Sequence, residues 1–199
     1  MKKDVVDVEN PSMSNVCWSC KKTNPSLLCE ECHKVQPPLD LNAFGRFDVD
    51  PHPVINQEAL EKKYLMMQTM LHPDRFVSKS KEEQVYAQQQ SESFNNAFAV
   101  LKDSTKCLEL LLEKETLPPD DSETLMLVMD LYEKVHTLKQ KKDLVALEQE
   151  IFAQKEAVLR LCIDAFEQSK KQDLLTGFKK LQFFEKILTN LKEKIRQNS

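Results

Sequence analysis

Glycine is scarce in this sequence, and long apolar runs are missing. Only Gly45 and Gly177 occur among the 199 residues, so the chain lacks the glycine-rich loops that cradle phosphate groups in nucleotide-binding enzymes. No apolar stretch approaches the ~18 residues that a membrane-spanning helix needs. The formal net charge is −4, whereas non-specific nucleic-acid binding depends on clustered positive charge. These absences disfavour nucleotide-cradling enzymes, membrane spans and general nucleic-acid binders.

Recognisable targeting features are also lacking near the N-terminus. Residues 1–15 contain Lys2 and Lys3 but no apolar core, and they include three acidic residues. A secretory signal needs an apolar core, and a mitochondrial transit peptide is rich in arginine and poor in acidic residues. We therefore expect a cytosolic protein, or a chain without its presequence. A reducing compartment favours metal binding by cysteines over disulfides.

The abundant residues favour helices. Leu, Lys, Glu and Gln are good helix formers, and turn residues are few, so we predict an all-α protein. Proline pairs at 37–38 and 118–119 interrupt the pattern, because proline cannot continue a helix. No internal repeat is evident. We predict four segments: an N-terminal tail (1–15), a metal-binding module (16–38), a helical domain (39–116) and a C-terminal domain (117–199).

Apolar periodicity places helices within these segments. Residues 39–116 are predicted to hold a short helix over Leu41–Phe47 and a longer one capped by Asn56 and stopped by Pro73. A third helix is predicted over about Lys81–Leu101, and a fourth, short one carries Cys107. Because Cys107 occupies an apolar helix position, we expect it to be a buried small hydrophobe, and the same holds for Cys162.

The C-terminal domain is predicted to be an antiparallel three-helix bundle, because short links join three long amphipathic segments. The expected N-caps of the three helices are Ser122, Asp143 and Asp173. The first of these helices carries Leu125, Met129, Tyr132 and Val135 at helical spacing.

Four cysteines form the strongest motif in the chain. Cys17 and Cys20 make one CxxC pair, and Cys29 and Cys32 make a second pair, with eight residues between the two pairs. Each pair can bend into a knuckle that presents two thiolates, and two knuckles complete a tetrahedral shell around one metal ion, most plausibly structural Zn²⁺. Four protein ligands leave no position for a catalytic water. The module is too short to bury a core, so metal binding would supply its folding energy, on the order of 10–16 kcal/mol. The alternatives are metal-free thiols or disulfides, and a redox or iron–sulfur role.

A second motif, His72-Pro73-Asp74, follows the apolar-striped helix that carries Tyr64. A catalytic His72–Asp74 pair is disfavoured because no nucleophile or cavity is apparent beside it, and a simple helix terminator is the other alternative. In this context the sequence resembles a J-domain. That resemblance implies a contact with a 70-kDa heat-shock chaperone through the tripeptide and through Lys62 and Lys63. Leu65 departs from the pattern, since a basic residue commonly follows the tyrosine.

The order of the segments is similar to the HscB-type co-chaperones of iron–sulfur cluster assembly, in the eukaryotic form with a four-cysteine module. The resemblance covers nearly the whole chain from Cys17 onward. It implies that the J-domain stimulates ATP hydrolysis by the chaperone and that the C-terminal bundle holds the iron–sulfur scaffold protein. The residues that match the scaffold-binding positions of this family are Leu125, Met126, Met129 and Phe183. Ordinary core packing is the alternative for each of them.

We therefore expect a non-enzymatic co-chaperone that delivers the scaffold to the chaperone, with no nucleic-acid or membrane partner and with homodimer formation left open. The resemblance implies the mitochondrial matrix, although no presequence is visible. Two alternatives remain: the chain is a general protein-folding J-protein, or it is a zinc-ribbon protein that binds nucleic acid or regulates another protein.

Overall fold

The computed structural model of the chain describes residues 16–23 and 26–197. Its helices, within that range, are α1 (Ala43–Phe47), α2 (Gln57–Met70), α3 (Lys81–Leu101), α4 (Ser104–Leu111), α5 (Ser122–Thr137), α6 (Lys141–Glu167) and α7 (Lys171–Gln197). A 3₁₀ turn at Pro73–Arg75 follows α2. The prediction of an all-α protein is confirmed. Among the described residues, no helix combines the length and apolar character needed to cross a bilayer. The predicted N-terminal tail lies outside the described residues.

The chain divides into two compact units. Among the described residues, unit 1 consists of those from Val16 to Asp50 together with Asn56–Leu101, and unit 2 consists of Pro51–Ile55 and those from Lys102 to Gln197. Helices α1, α2 and α3 therefore lie in unit 1, and α4 to α7 lie in unit 2. The predicted boundary between the helical domain (39–116) and the C-terminal domain (117–199) lies after α4. It stays a prediction about where the functional segments divide.

In unit 1, α2 and α3 form a helical pair, and α1 packs against α3. Asn56 caps α2 as predicted, accepting a hydrogen bond from the Ala59 N–H at 3.0 Å. The Tyr64 ring of α2 stacks on the Phe98 ring of α3 with 4.0 Å between centroids. This pairing places the end of α2, and the turn that follows it, at the surface of a rigid helical frame.

Unit 2 contains two buried clusters along α6 and α7. One cluster includes Leu159, Cys162, Phe178 and Leu181, together with residues of α4. The other joins α6 and α7 to the core-facing side of α5. Cys107 and Cys162 are both buried, as the sequence predicts.

The predicted caps of α5, α6 and α7 are wrong by one to three residues. Asp121, not Ser122, caps α5, and its carboxylate accepts from the Thr124 N–H at 2.7 Å. Helix α6 begins at Lys141 without a side-chain cap, so Asp143 lies in its first turn. Asp173 likewise lies in the first turn of α7. Acidic residues favour a cap and a first turn for related electrostatic reasons, so the sequence alone does not separate these positions.

The apolar residues of α5 divide between the core and the surface. Leu131 and Val135 are buried, but Leu125 and Met129 are exposed. Residues 125–129 are apolar around the whole helix circumference, so their periodicity cannot select the buried side. Packing uses the side that bears Leu127 and Val128 instead.

Candidate metal centre and binding surfaces

The two CxxC segments fold into matching knuckles. In the first, the Cys17 N–H donates to the Lys22 carbonyl oxygen at 2.7 Å, and the Lys21 N–H donates to the Cys17 carbonyl oxygen at 3.0 Å. In the second, the Cys29 N–H donates to the Lys34 carbonyl oxygen at 2.9 Å, and the His33 N–H returns to Cys29 at 2.8 Å. Each chain reversal turns both thiols of its pair toward the same point.

The knuckles are an internal repeat with a period of 12 residues, which the sequence analysis missed. Each is bracketed by an antiparallel bridge, Val16 with Thr23 and Leu28 with Val35. The residue after each second cysteine has a left-handed backbone, with φ 64° at Lys21 and 55° at His33. Positive φ is uncommon for residues other than glycine, so its recurrence at equivalent places marks the repeat. This mark is visible in the backbone and not in the sequence. The His33 side chain is exposed.

The four sulfur atoms lie within 4.8 Å of one another. The Cys17 and Cys32 sulfurs are 3.7 Å apart, and the Cys20 and Cys29 sulfurs are 3.6 Å apart. A tetrahedral site with metal–sulfur bonds of about 2.3 Å requires sulfur–sulfur separations of about 3.8 Å. The residues therefore fit a Cys₄ metal site, and each of these two close sulfur pairs takes one atom from each knuckle.

The electrostatics of the thiols favour a bound cation. Burial opposes ionisation of Cys17, but hydrogen bonds from the backbone N–H groups of Cys20 and Ser19 outweigh it, so the pKa of Cys17 lies below its ordinary value. The backbone N–H of Lys34 favours the Cys32 thiolate, but burial and the neighbouring thiols prevail and raise the pKa of Cys32 to about 12. The cluster thus resists holding several thiolates by itself, and a divalent cation would stabilise all four as ligands.

The His-Pro-Asp tripeptide lies at the exposed end of α2. The His72 Nδ1 accepts a hydrogen bond from the Asp74 N–H at 3.3 Å and lies 3.5 Å from the Asp74 carboxylate. Pro73 opens the 3₁₀ turn, where its missing N–H costs no hydrogen bond. All three side chains are exposed, so the turn presents the His72 imidazole, the Pro73 pyrrolidine ring and the Asp74 carboxylate to solvent.

The two lysines of α2 have different surroundings. Lys62 is exposed and forms an ion pair with Glu58 at 2.7 Å. The Lys63 ammonium instead donates to the carbonyl oxygens of Phe47 and Asp48 at 2.8 and 3.0 Å. It therefore satisfies backbone acceptors at the end of α1, a role that the sequence analysis did not anticipate. Leu65, 63% exposed, stands one turn from Lys62 on the outer side of α2.

The second surface lies on α5, in unit 2. Met126 and Met129 are 72% and 71% exposed, and Leu125 is also exposed. On α7, Phe184 is buried and its neighbour Phe183 is only half-buried, because adjacent residues of a helix cannot both face the same side. None of the four predicted scaffold-binding residues is a fully buried core residue.

Hydrogen bonds fix the register of α7 against α5. Lys194 donates to the Val135 carbonyl oxygen, 59 residues earlier, and Lys179 pairs with Asp120 at 2.8 Å with the same offset. Helices α5 and α7 are therefore parallel, and Phe183 lies at the level of Thr124, next to Leu125 along the axis. The tertiary structure thus sets the first turn of α5 and the middle of α7 at the same level in unit 2.

Comparisons with known proteins give a consistent result. The family described as the HSCB C-terminal oligomerisation domain matches residues 120–192. The co-chaperone protein HscB homolog of Pasteurella multocida is 30% identical over 159 residues, covering 74% of this chain and 92% of that protein. The iron-sulfur cluster co-chaperone protein HscB homolog of Arabidopsis thaliana is 26% identical over 187 residues, covering 90% of this chain and 74% of that protein. The crystal structure of human co-chaperone protein HscB has a TM-score of 0.75 at 22% identity, covering 92% of this chain and 97% of that one.

The fold and the sites define an all-helical protein with a four-thiol metal site, an exposed His-Pro-Asp turn and a three-helix C-terminal bundle. The relatives that match most of its length are named as co-chaperones. The chain belongs to the HscB family, as the motif order predicts.

Proposed function

We propose that this protein is a co-chaperone of iron–sulfur cluster assembly, which stimulates the ATPase of a 70-kDa heat-shock chaperone and delivers the iron–sulfur scaffold protein to it. The observation that carries the proposal is the pairing, in one chain of the HscB family, of an exposed His-Pro-Asp turn with an exposed apolar surface on α5. The chain itself catalyses no reaction in this scheme.

The chaperone-facing residues in this proposal are Lys62, Lys63, His72, Pro73 and Asp74. Because Lys62 is paired with Glu58 and Lys63 with backbone oxygens, α2 offers little unpaired positive charge from these two residues. Leu65 and Met66 are exposed on the same helix, and an apolar cavity of about 350 Å³ lies beside Pro73. We therefore assign an apolar share of the chaperone contact to Leu65 and Met66, alongside the polar tripeptide.

The scaffold-facing residues are Leu125, Met126 and Met129 of α5 and Phe183 of α7. Methionine adapts its shape to a partner, and exposed apolar clusters mark protein-binding surfaces. The shared level of Phe183 and Leu125 allows one folded partner to touch both helices. This arrangement favours a specific folded partner over the varied clients of a general folding J-protein.

In the proposed mechanism the two surfaces act together. A chain that holds the scaffold while its tripeptide engages the ATP-bound chaperone raises the effective concentration of each partner for the other. Chaperone closure on the scaffold then accompanies ATP hydrolysis. The four-thiol module would hold one structural Zn²⁺ through Cys17, Cys20, Cys29 and Cys32. The eukaryotic relatives support a mitochondrial location.

The proposal is tested by steady-state ATP hydrolysis of a mitochondrial-type 70-kDa chaperone with this chain, with and without an iron–sulfur scaffold. We expect stimulation by the chain, and a further synergistic rise with the scaffold. The His72→Gln variant should lose both effects, whereas His136→Gln, an exposed histidine of α5, serves as the matched control and should retain them.

The scaffold surface is tested in the same assay. The double variant Met126→Ala with Phe183→Ala should retain stimulation but lose the synergy. Its scaffold affinity should fall roughly tenfold or more, since contact residues of this kind contribute about 1–2 kcal/mol each. Leu161→Ala, an exposed leucine of α6, is the control and should behave as the wild type. If the chain stimulates ATP hydrolysis equally with and without the scaffold, the protein is a general J-protein and the scaffold assignment is overturned.

A further inference from the structure

The side chain of Gln36 lies buried against the four-thiol site. It is only 4% exposed, although it is polar. Its amide nitrogen donates to the Cys17 sulfur at 3.3 Å and to the Lys34 carbonyl oxygen at 2.8 Å. Its amide oxygen accepts from the Trp18 N–H at 3.3 Å. The side chain of Gln36 thus bonds to both knuckles and to one prospective metal ligand.

These partners fix the orientation of the amide. Both atoms near the nitrogen are acceptors, a sulfur and a carbonyl oxygen, and the atom near the oxygen carries a hydrogen. Rotating the amide by half a turn would set an oxygen against two acceptors and leave buried groups unsatisfied. Gln36 therefore presents an N–H donor to the Cys17 sulfur. A donor to a metal-bound thiolate stabilises its negative charge and holds its direction.

The backbone of Gln36 connects the same site to the helices of unit 1. Its carbonyl oxygen accepts from the amide nitrogen of Gln90 on α3 at 3.0 Å. Gln90 is 3% exposed, and its amide oxygen accepts from Arg46 of α1 at 3.4 Å. The Arg46 guanidinium also bonds to the Leu39 carbonyl oxygen and lies 5.7 Å from the centre of the Phe94 ring. A continuous polar network, buried at Cys17, Gln36 and Gln90 and half-buried at Arg46, therefore runs from the thiol cluster to α3 and α1.

We propose that Gln36 is a positioning residue of the metal site, and that the Gln36–Gln90–Arg46 network couples metal binding to the stability of α1 and α3. In the metal-bound state the knuckles hold Gln36 in place, so its carbonyl oxygen stays fixed for Gln90. When the metal is removed, the knuckles lose the ligand bonds that order them, and Gln90 loses a fixed partner inside the unit. An unsatisfied buried amide then weakens the packing of α3.

A second contact, made by Trp18, also connects the knuckles to α3. The Trp18 indole N–H donates to the Val35 carbonyl oxygen at 2.8 Å, and its ring meets the Tyr86 ring of α3 edge-on at 5.5 Å between centroids. Trp18 lies between the first two cysteines, so this ring contact also depends on the knuckle that the metal would order. Nothing in the local sequence pattern around Gln36 or Gln90 signals either connection, because both depend on contacts between distant residues.

The first experiment measures the affinity of the full-length protein for Zn²⁺ by competition with a chromophoric chelator. Gln36→Leu removes the donor to Cys17 while keeping a side chain of similar size. We expect a loss of 10–100-fold in Zn²⁺ affinity, the usual effect of removing a hydrogen bond to a ligand. Gln36→Glu, which keeps the shape but places a carboxylate by the sulfur, should lose at least as much. Affinity equal to wild type in both variants would overturn the positioning role.

The second experiment measures amide hydrogen exchange in α3 with Zn²⁺ bound and after chelation. In the wild type, protection around Gln90 should fall when Zn²⁺ is removed. In Gln90→Leu that metal-dependent difference should shrink by at least half. Its Zn²⁺ affinity should fall less than that of Gln36→Leu, because the coupling through Gln90 is lost but the donor to the Cys17 sulfur is kept. Gln89→Leu, at the exposed neighbouring glutamine, is the matched control and should keep the wild-type difference.

The two readouts separate the parts of the inference. A metal-dependent difference in Gln90→Leu equal to that of the Gln89→Leu control would overturn the coupling. If Gln36→Leu proves too unstable to purify, the Gln36→Glu affinity and the Gln90 comparison still decide the matter. Both experiments are independent of chaperone stimulation, so their failure would leave the proposed co-chaperone function standing.

Discussion

At the residue scale, two cysteines are packing elements and not reactive groups. Burial raises the pKa of Cys107 to about 11 and that of Cys162 to about 12. Cys162 fills space on α6 directly opposite Gly177 of α7: a β-carbon built at Gly177 would lie 2.6 Å from the Cys162 sulfur. The missing side chain of Gly177 therefore allows α6 and α7 to approach at this point. This glycine is retained inside a long helix for packing, at a cost of about 1 kcal/mol in helix propensity.

We predict that Gly177→Ala destabilises unit 2. The overpacking cost of about 1–3 kcal/mol against a buried sulfur should exceed the propensity gain of about 1 kcal/mol. Denaturant unfolding followed by circular dichroism measures the difference from wild type. In a Cys162→Ala background the same substitution should cost less, because the clashing atom is gone. Equal effects in both backgrounds would place the cost of alanine somewhere other than this contact.

At the element scale, α1 depends on a lysine of α2. Helix α1 has only five residues, too few to be stable by itself. Its end is bound by the Lys63 ammonium, which bonds to two carbonyl oxygens, and Phe44 and Phe47 bury its other side. Lys62, by contrast, forms an exposed ion pair within α2, a kind of contact that contributes little. We therefore expect these two adjacent lysines to contribute differently to the stability of unit 1.

Lys63→Ala should lower the stability of unit 1 by about 1 kcal/mol, because two charge-assisted hydrogen bonds are lost at a partly exposed site. Lys62→Ala should change it by less than about 0.5 kcal/mol. Thermal or denaturant unfolding of the two variants, side by side, gives the comparison. An equal small effect of both would show that the Lys63 bonds are replaced by water without loss.

At the scale of the whole molecule, the cysteines serve two purposes in two units. Unit 1 holds the four thiols that gather within 4.8 Å, and unit 2 holds the two buried singletons. The chaperone-facing and scaffold-facing residues of the proposed function are divided between the same two units. The bivalent mechanism therefore requires both units in one chain, since effective concentration arises only when the two surfaces are linked.

Thiol counting tests this division of the six cysteines. With Zn²⁺ bound, a chromogenic thiol reagent at about pH 8 should react slowly with the native protein. After chelation, four thiols should react, while Cys107 and Cys162 stay protected until denaturant is added, because they are buried and their raised pKa values leave almost no thiolate at that pH. Reaction of all six thiols in native, chelated protein would mean that unit 2 opens when the metal leaves.

Local signals predicted much of this molecule. The CxxC spacing is enough to bring each pair of thiols together, because a knuckle is a short-range chain reversal. Asn56 and Pro73 mark the ends of α2 because capping and the missing proline N–H act within one turn. The predicted bounds of α3, Lys81–Leu101, coincide with the structure. The order of the motifs along the chain is enough to indicate its family.

The remaining features depend on residues far apart in the chain. The apolar run at 125–129 predicts a helix but not its buried side, which is decided by how α5 packs in unit 2. The attachment of Lys63 to α1 and the buried network of Gln36 and Gln90 join segments separated by 15 to 54 residues. Helix periodicity, caps and knuckles depend on neighbouring residues, so the sequence by itself determines them. Only the packing of the elements decides which polar groups meet in the interior and which apolar side chains remain exposed.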